Sequence, residues 1–168
     1  MQTSLRWTPD DYDIEKSADF RRPIYLYILK VASRCNLDCT YCYVYQSPDK
    51  SWQTKPKFLA VDILQKIAER IQEHVSEHGL SEISIVFHGG EPLLAGVERL
   101  ESYTEIISST ISCKVKYGMQ TNGILIDDAI IDFLHQHQFR VGISLDGTKE
   151  NNDKHRIFPN GKSSYEQY

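Results

Sequence analysis

Nowhere in the 168 residues does an apolar run approach the roughly 18 residues that a membrane-spanning helix needs. The N-terminus has no apolar centre of the kind a signal peptide carries: Met1-Gln2-Thr3-Ser4-Leu5-Arg6-Trp7 leads directly to Asp10, Asp11 and Asp13. There is no basic stripe. The 19 Lys and Arg are scattered among 23 Asp and Glu, for a net charge of −4, which argues against a nucleic-acid partner. Internal repeats and low-complexity segments are also missing. A cytoplasmic chain with no membrane partner is the expectation, and there thiols stay reduced. Cysteine is scarce, four in all. Three crowd into one short stretch, Cys35, Cys39 and Cys42, while Cys113 stands apart. In a reducing compartment such crowding points to metal ligands rather than disulfides.

What is present suits one globular domain of ordinary size, with 40% hydrophobic and 25% charged residues. Residues 1–22 have weak periodicity and read as an N-terminal arm. Ile24 to Val31 is short and almost wholly apolar, as a strand buried on both faces would be. Ser47-Pro48-Asp49 reads as a turn. Ile63, Leu64, Ile67, Ala68, Ile71 and Val75 recur at helical spacing over about 60–78, and Gly79 sits where a left-handed cap belongs. Strands follow at 82–87, 114–120 and 140–145, with a helix at about 97–110. A further helix starts near Asp127, with Ile130, Ile131 and Leu134 on its inner side. Gly161 to Ser164 looks like the approach to another helix. The alternation predicts an α/β fold with parallel strands and crossover helices. Helices on one face of four parallel strands leave the other face and the last edge bare. The expectation is a partial (β/α) barrel, truncated after about four β/α units, with the remaining barrel strands supplied elsewhere.

The loop after the first strand holds Cys-x3-Cys-x2-Cys. Carboxyl ends of strands are where parallel α/β folds place chemistry. Three thiolates can ligate three irons of a cubane and leave the fourth open. An open iron can chelate an amine and a carboxylate, such as the methionine end of S-adenosylmethionine (SAM) offers. The competing reading is a zinc knot, which wants four closed ligands. Cys113 or His88 would have to supply the fourth, and neither has knuckle-like spacing.

The ends of the other strands carry further candidates. Gly89 and Gly90 let backbone approach a ligand closely, and Glu91 offers an acceptor to a cationic amine. Gln120, Asn122 and Ser144 put short polar groups at the same end of the sheet, although such residues are also ordinary turn formers. Arg156 could pair with a carboxylate or simply lie on the surface. Tyr41, Tyr43 and Tyr45 alternate around the cysteine loop. They either shield a cluster from water, which tunes its potential, or pack the loop. His74, His78, His135 and His137 read as solvated.

Together, Arg34-Cys35-Asn36-Leu37-Asp38-Cys39-Thr40-Tyr41-Cys42, His88-Gly89-Gly90-Glu91-Pro92, Gln120-Thr121-Asn122-Gly123 and Ser144-Leu145-Asp146-Gly147 resemble the radical SAM superfamily. Within it they resemble SPASM-type peptide and protein maturases, over about residues 24–168. The resemblance implies a [4Fe-4S] cluster on Cys35, Cys39 and Cys42. It implies SAM bound by Tyr41 (through its backbone, near the adenine), Gly89, Gly90, Glu91, Gln120, Asn122, Ser144 and Arg156. Reductive cleavage of SAM to a 5′-deoxyadenosyl radical, then oxidative modification of a precursor peptide or protein, is the implied activity. A flavodoxin or ferredoxin is the implied electron donor. Residues 23–168 correspond to the front of the core domain, without the last barrel strands or the SPASM domain. No catalytic base is placed. Cys42-Tyr43-Val44-Tyr45, Ser51-Trp52 and the stretch Phe158 to Tyr165 resemble FxsB-type maturases, which crosslink an aromatic ring to a nearby β-carbon. Anaerobic sulfatase maturases, which form formylglycine, are the alternative, as is a non-catalytic cluster-binding remnant.

Overall fold

The computed structural model describes residues 22–167, so all but the last residue of the expected N-terminal arm lies outside the described residues. Four strands form one sheet: β1 (Leu26–Ala32), β2 (Glu82–Gly89), β3 (Lys114–Thr121) and β4 (Arg140–Ile143). Their order in space is their order in sequence, and every pairing is parallel. Between them run α1 (Val61–His78), α2 (Val97–Thr110) and α3 (Asp128–Gln136), with a short α4 (Lys149–Asn152) after β4. This is the expected α/β partial barrel. None of these helices is long and apolar enough to cross a membrane.

The helices form where their sequences direct. On α1 the buried residues are Leu64, Ala68, Ile71 and Val75, a single stripe at helical spacing. Gly79 ends it in the left-handed conformation at φ 59°, and Leu80 N–H donates back to the Val75 carbonyl at 3.0 Å. Asp127 caps α3 by accepting from Ile130 N–H at 2.9 Å. The sheet sends Leu29, Val31, Ile83, Ile85, Phe87 and Met119 into the layer shared with these helices. Each large side chain fully buried there contributes roughly 1.5–3 kcal/mol.

Four expectations need correcting. β1 is not buried on both faces: Leu26 and Ile28 are 53% and 62% exposed. They point to the inner face of the curved sheet, which no second layer covers among the described residues. On α3 the inward residues are Ile130, Phe133 and Leu134, while Ile131 is exposed. Phe133 lies three residues after Ile130 and so shares its face, which Ile131 does not. Near Ser164 only a short 3-10 turn forms, Tyr165–Gln167. His137 is not simply solvated either, since its Nε2 lies 2.6 Å from a Glu101 carboxylate oxygen on α2.

The ends of β1 and β2 are joined closely. Their register shifts between Lys30 and Ala32, so the chain bends where the cysteine loop begins. Beyond the bend, Gly90 N–H donates to the Ala32 carbonyl and Glu91 N–H to the Arg34 carbonyl, both at 2.9 Å. A Cβ on Gly89 would overlap the Ala32 carbonyl, and one on Gly90 would overlap the Arg34 carbonyl and the Tyr45 hydroxyl. Only glycine permits this approach.

Candidate functional site

The cysteine loop leaves β1 and folds over the carboxyl end of the sheet. Arg34 organises it. Its guanidinium donates to the carbonyls of Ser33 (2.9 Å), Trp52 (2.7 Å), Gln53 (3.0 Å) and Lys55 (3.0 Å), and it stacks over the Trp52 ring at 5.3 Å. Cys42 N–H returns to the Cys39 carbonyl at 3.0 Å, and Gln46 N–H to that of Cys42 at 2.9 Å. These bonds turn the loop so that all three cysteines meet at one place.

Cys35, Cys39 and Cys42 are half-buried free thiols that line a single cavity of about 170 Å³. Its walls also include Tyr41, Gly89, Gly90, Gln120, Asn122, Ser144 and Arg156. Every residue expected to hold cluster or SAM, except Glu91, therefore faces one space. Gln120 belongs as well to a neighbouring cavity of about 280 Å³ along the inner face of the sheet, with Leu26, Ser84, Val86 and Lys116. A larger cavity of about 570 Å³ lies beside Trp52 and Phe58 and shares Tyr43 and Val44, but no cysteine lines it. We place the chemistry in the smaller space, because that is where the thiols are.

The donor set fits an iron–sulfur cluster. Leu37 N–H points at the Cys35 sulfur from 3.4 Å and Asn122 Nδ2 lies 3.9 Å from it, an arrangement that suits a thiolate. Among the described residues no group of three or more His, Cys, Asp or Glu is arranged to hold a single metal ion. Cys113 directly precedes β3, at the opposite end of the strand from this cavity, and does not complete a zinc site. Burial pushes the Cys35 thiol up to about 11, with the neighbouring Glu91, Cys39 and Cys42 adding to the rise and Leu37 N–H opposing it. Burial likewise raises Cys39, against the opposing pull of the Arg156 guanidinium. Cys35 and Cys39 thus hold their protons until a metal displaces them.

Glu91 departs from expectation. Its side chain is fully buried behind the wall and does not line the cavity. One carboxylate oxygen accepts from Leu93 N–H (2.9 Å) and the Thr121 hydroxyl (2.6 Å), the other from Asn122 N–H (2.7 Å). The carboxylate is occupied in tying the β2 exit to the β3 exit. Burial still raises its pKa, although these three bonds oppose the rise.

The remaining candidates are held by one another. Gln120 Nε2 donates to the Ser144 hydroxyl at 2.8 Å, bridging β3 to the residue after β4. Asn122 Nδ2 donates to Asn36 Oδ1 at 2.7 Å, reaching into the cysteine loop. Arg156, nearly buried, donates from Nη1 to the Tyr41 hydroxyl at 2.9 Å, and that hydroxyl donates to Asp146 at 2.8 Å. Burial is the main cause of the raised Tyr41 pKa.

Several supports went unread in the sequence. The segment after α4 runs along the cysteine loop: Asp38 N–H donates to the Ile157 carbonyl (2.8 Å) and Thr40 N–H to that of His155 (3.0 Å). Thr40 Oγ1 and His155 Nδ1 are 2.7 Å apart. Asn152 is fully buried beneath this strap, where Asp146 N–H reaches its Oδ1 at 3.4 Å and its Nδ2 donates to Ser164 at 3.1 Å. Arg34 and His155 sit in loops and Asn152 ends the four-residue α4; none belongs to a periodic pattern, and no local signal marks them.

Residues 29–168 match the family described as the radical SAM superfamily. A cysteine-type anaerobic sulfatase-maturating enzyme of Clostridium novyi is 33% identical over 140 residues, covering 82% of this chain and 36% of the relative. A serine-type enzyme of Bacteroides thetaiotaomicron is 29% identical over 150 residues, covering 88% and 35%. A solved structure described as native anSMEcpe with bound AdoMet superposes with a TM-score of 0.71 at 33% identity, covering 86% of this chain and 39% of that one. The same protein with AdoMet and a Kp18Cys peptide gives 0.71 at 31%, covering 84% and 37%. The chain thus spans little more than a third of the length of these relatives.

Proposed function

The chain belongs to the radical SAM superfamily, and on that premise we propose that it houses the cluster and SAM site of an oxidoreductase-type peptide or protein maturase. The observation that carries this is the meeting of three free thiols from one loop with Gly89, Gly90, Gln120, Asn122, Ser144 and Arg156 around one cavity. Cys35, Cys39 and Cys42 would hold a [4Fe-4S] cluster. When bound, that cluster supplies the electron for reductive cleavage of SAM to a 5′-deoxyadenosyl radical, which abstracts hydrogen from the substrate.

The rest is the work of the chain. Gly89 and Gly90 present bare backbone, so an amine can reach their carbonyls. The Arg156 guanidinium supplies the cation that a methionine carboxylate needs. Gln120 donates to the Ser144 hydroxyl, and both side chains line the cavity. Asn122 joins the cysteine loop to the β3 exit, and Tyr41 offers backbone beside the adenine. Glu91 fixes these walls from behind. Residues 23–168 form the front of the core domain. A reducing cytoplasm and a low-potential donor such as flavodoxin or ferredoxin complete the scheme.

The substrate we propose is a peptide or protein side chain. The names of the relatives favour conversion of a cysteine or serine to formylglycine. Aromatic crosslinking rests on Cys42-Tyr43-Val44-Tyr45, Ser51-Trp52 and Phe158 to Tyr165 alone. The decisive experiment is anaerobic reconstitution with ferrous iron and sulfide, then addition of dithionite and SAM. Broad visible absorption and release of 5′-deoxyadenosine are expected. A colourless protein that takes up zinc instead refutes the proposal, whereas iron uptake without SAM cleavage marks a non-catalytic cluster binder.

A further inference from the structure

We propose that the Tyr45 hydroxyl is a hydrogen-bond donor to the sulfur of the cluster site, and that it raises the reduction potential of the centre bound there. The inference rests on the cluster reading above and assigns a residue that the cysteine spacing does not reach.

The Tyr45 hydroxyl is buried and has no hydrogen-bond partner among the described residues. Such orphaned donors are rare and costly, and an ion or group bound in the functional state is one of the few explanations for them. The ring lines the same cavity as the three thiols. Its hydroxyl sits against Gly90, where any side chain would overlap it. The glycine therefore leaves room for a phenol as well as for a ligand.

The ring is also held in place. It meets Trp52 edge-on, with centroids 4.9 Å apart at 87°. Trp52 lies in turn under the Arg34 guanidinium, which binds the Trp52 carbonyl. Lys50 Nζ donates to the Tyr45 carbonyl at 2.6 Å. Arg34 and Trp52 are thus positioning residues for the phenol. Burial and the nearby Cys35 and Cys42 push its pKa up to about 12, so the hydroxyl keeps its proton near neutrality and can only donate toward sulfur.

The chemical consequence has a sign. Adding an electron makes the sulfurs more negative and strengthens any bond donated to them. A donor therefore stabilises the reduced state and raises the potential. The sulfur of a reconstituted cluster would be the acceptor for this hydroxyl.

The test is Tyr45→Phe in the whole chain, compared with wild type before and after anaerobic reconstitution. Without cluster, the variant should be as stable as wild type or more so, because only an unsatisfied hydroxyl has been removed. With cluster, a redox titration followed by electron paramagnetic resonance should show a more negative midpoint. Double-resonance spectra in light and heavy water should lose one strongly coupled exchangeable proton. A marked fall in the melting temperature of the empty variant would overturn the proposal by showing a protein partner for the hydroxyl. An unchanged midpoint with the coupling retained would overturn it too, and so would a rise, which marks entry of water. If wild type assembles no cluster, the reading beneath the proposal falls with it; a cluster in both proteins with identical spectra defeats the proposal alone.

Discussion

Replacing Glu91 separates a ligand from a brace. Its carboxylate accepts from two backbone N–H groups and one hydroxyl in a fully buried setting. Glu91→Ala leaves the Leu93 and Asn122 amides without acceptors, and each buried orphan costs about 1–3 kcal/mol. The Thr121 hydroxyl can turn elsewhere, so the loss is about 2–6 kcal/mol, a large part of a typical domain stability of about 5–15 kcal/mol. Glu91→Gln keeps one acceptor oxygen, which can stay with Leu93 and Thr121, and turns an NH2 toward Asn122 N–H. One conflict costs about 1–3 kcal/mol, and removing a buried charge offsets part of it. Urea denaturation of the metal-free chain measures both. With a slope of about 1–3 kcal/mol per molar, Glu91→Ala should lower the midpoint by about 1 M or more. The pH dependence has a definite sign. Burial raises the folded pKa of Glu91, so between the unfolded and folded values the native state holds more protons. Stability therefore falls as pH rises through that window, and the Gln variant lacks that part of the slope. If Glu91→Ala matches wild type in midpoint, the carboxylate is not a brace, and its place behind the cavity has been misread.

Three further outcomes are expected. In the metal-free chain at pH 8, a Cys35 thiol pushed up to about 11 from 9.0 should react with iodoacetamide about 100-fold more slowly than an ordinary thiol, as peptide mapping would show; a rate equal to that of a free thiol refutes the burial argument. Gly90→Ala places a methyl against the Arg34 carbonyl and the Tyr45 hydroxyl, and should abolish or sharply reduce iron retention, read as iron per chain after desalting. Asn152→Ala removes a buried amide that ties Asp146 to Ser164, and should cost about 1–3 kcal/mol. It should also speed amide exchange at Asp38 and Thr40, whose N–H groups bond to the strap, and unchanged exchange there would dissociate the strap from the loop.

The helices and the four strands were legible because their signals are local. Periodicity located α1, Gly79 marked its end, and Asp127 marked the start of α3. The cysteines were legible because their spacing after a strand leaves few alternatives. The faces were less so. An apolar run such as 24–31 reports what a strand can bury, not which side finds a partner, and Leu26 and Ile28 find none among the described residues. Glu91 was partly legible for a related reason. A carboxylate after two glycines can reach forward to a ligand or back to loop amides, and only the fold shows that it accepts from Leu93, Thr121 and Asn122. His155 acts across more than a hundred residues on a loop that no periodic signal connects to it, and Asn152 anchors the strap that carries it.

The strap across the cysteine loop has a consequence for synthesis. Thr40 meets His155, and Tyr41 meets Arg156, each across 115 positions of chain. A ribosome adding about 5–20 residues per second needs roughly 6–23 s between the emergence of the two partners. Throughout that interval the three sulfurs have left the exit tunnel while the segment that fixes their loop has not yet emerged. Copper and zinc compete well for thiolates in an unshaped site. Iron and sulfide delivered after chain release should therefore load this protein more faithfully than metal present during elongation.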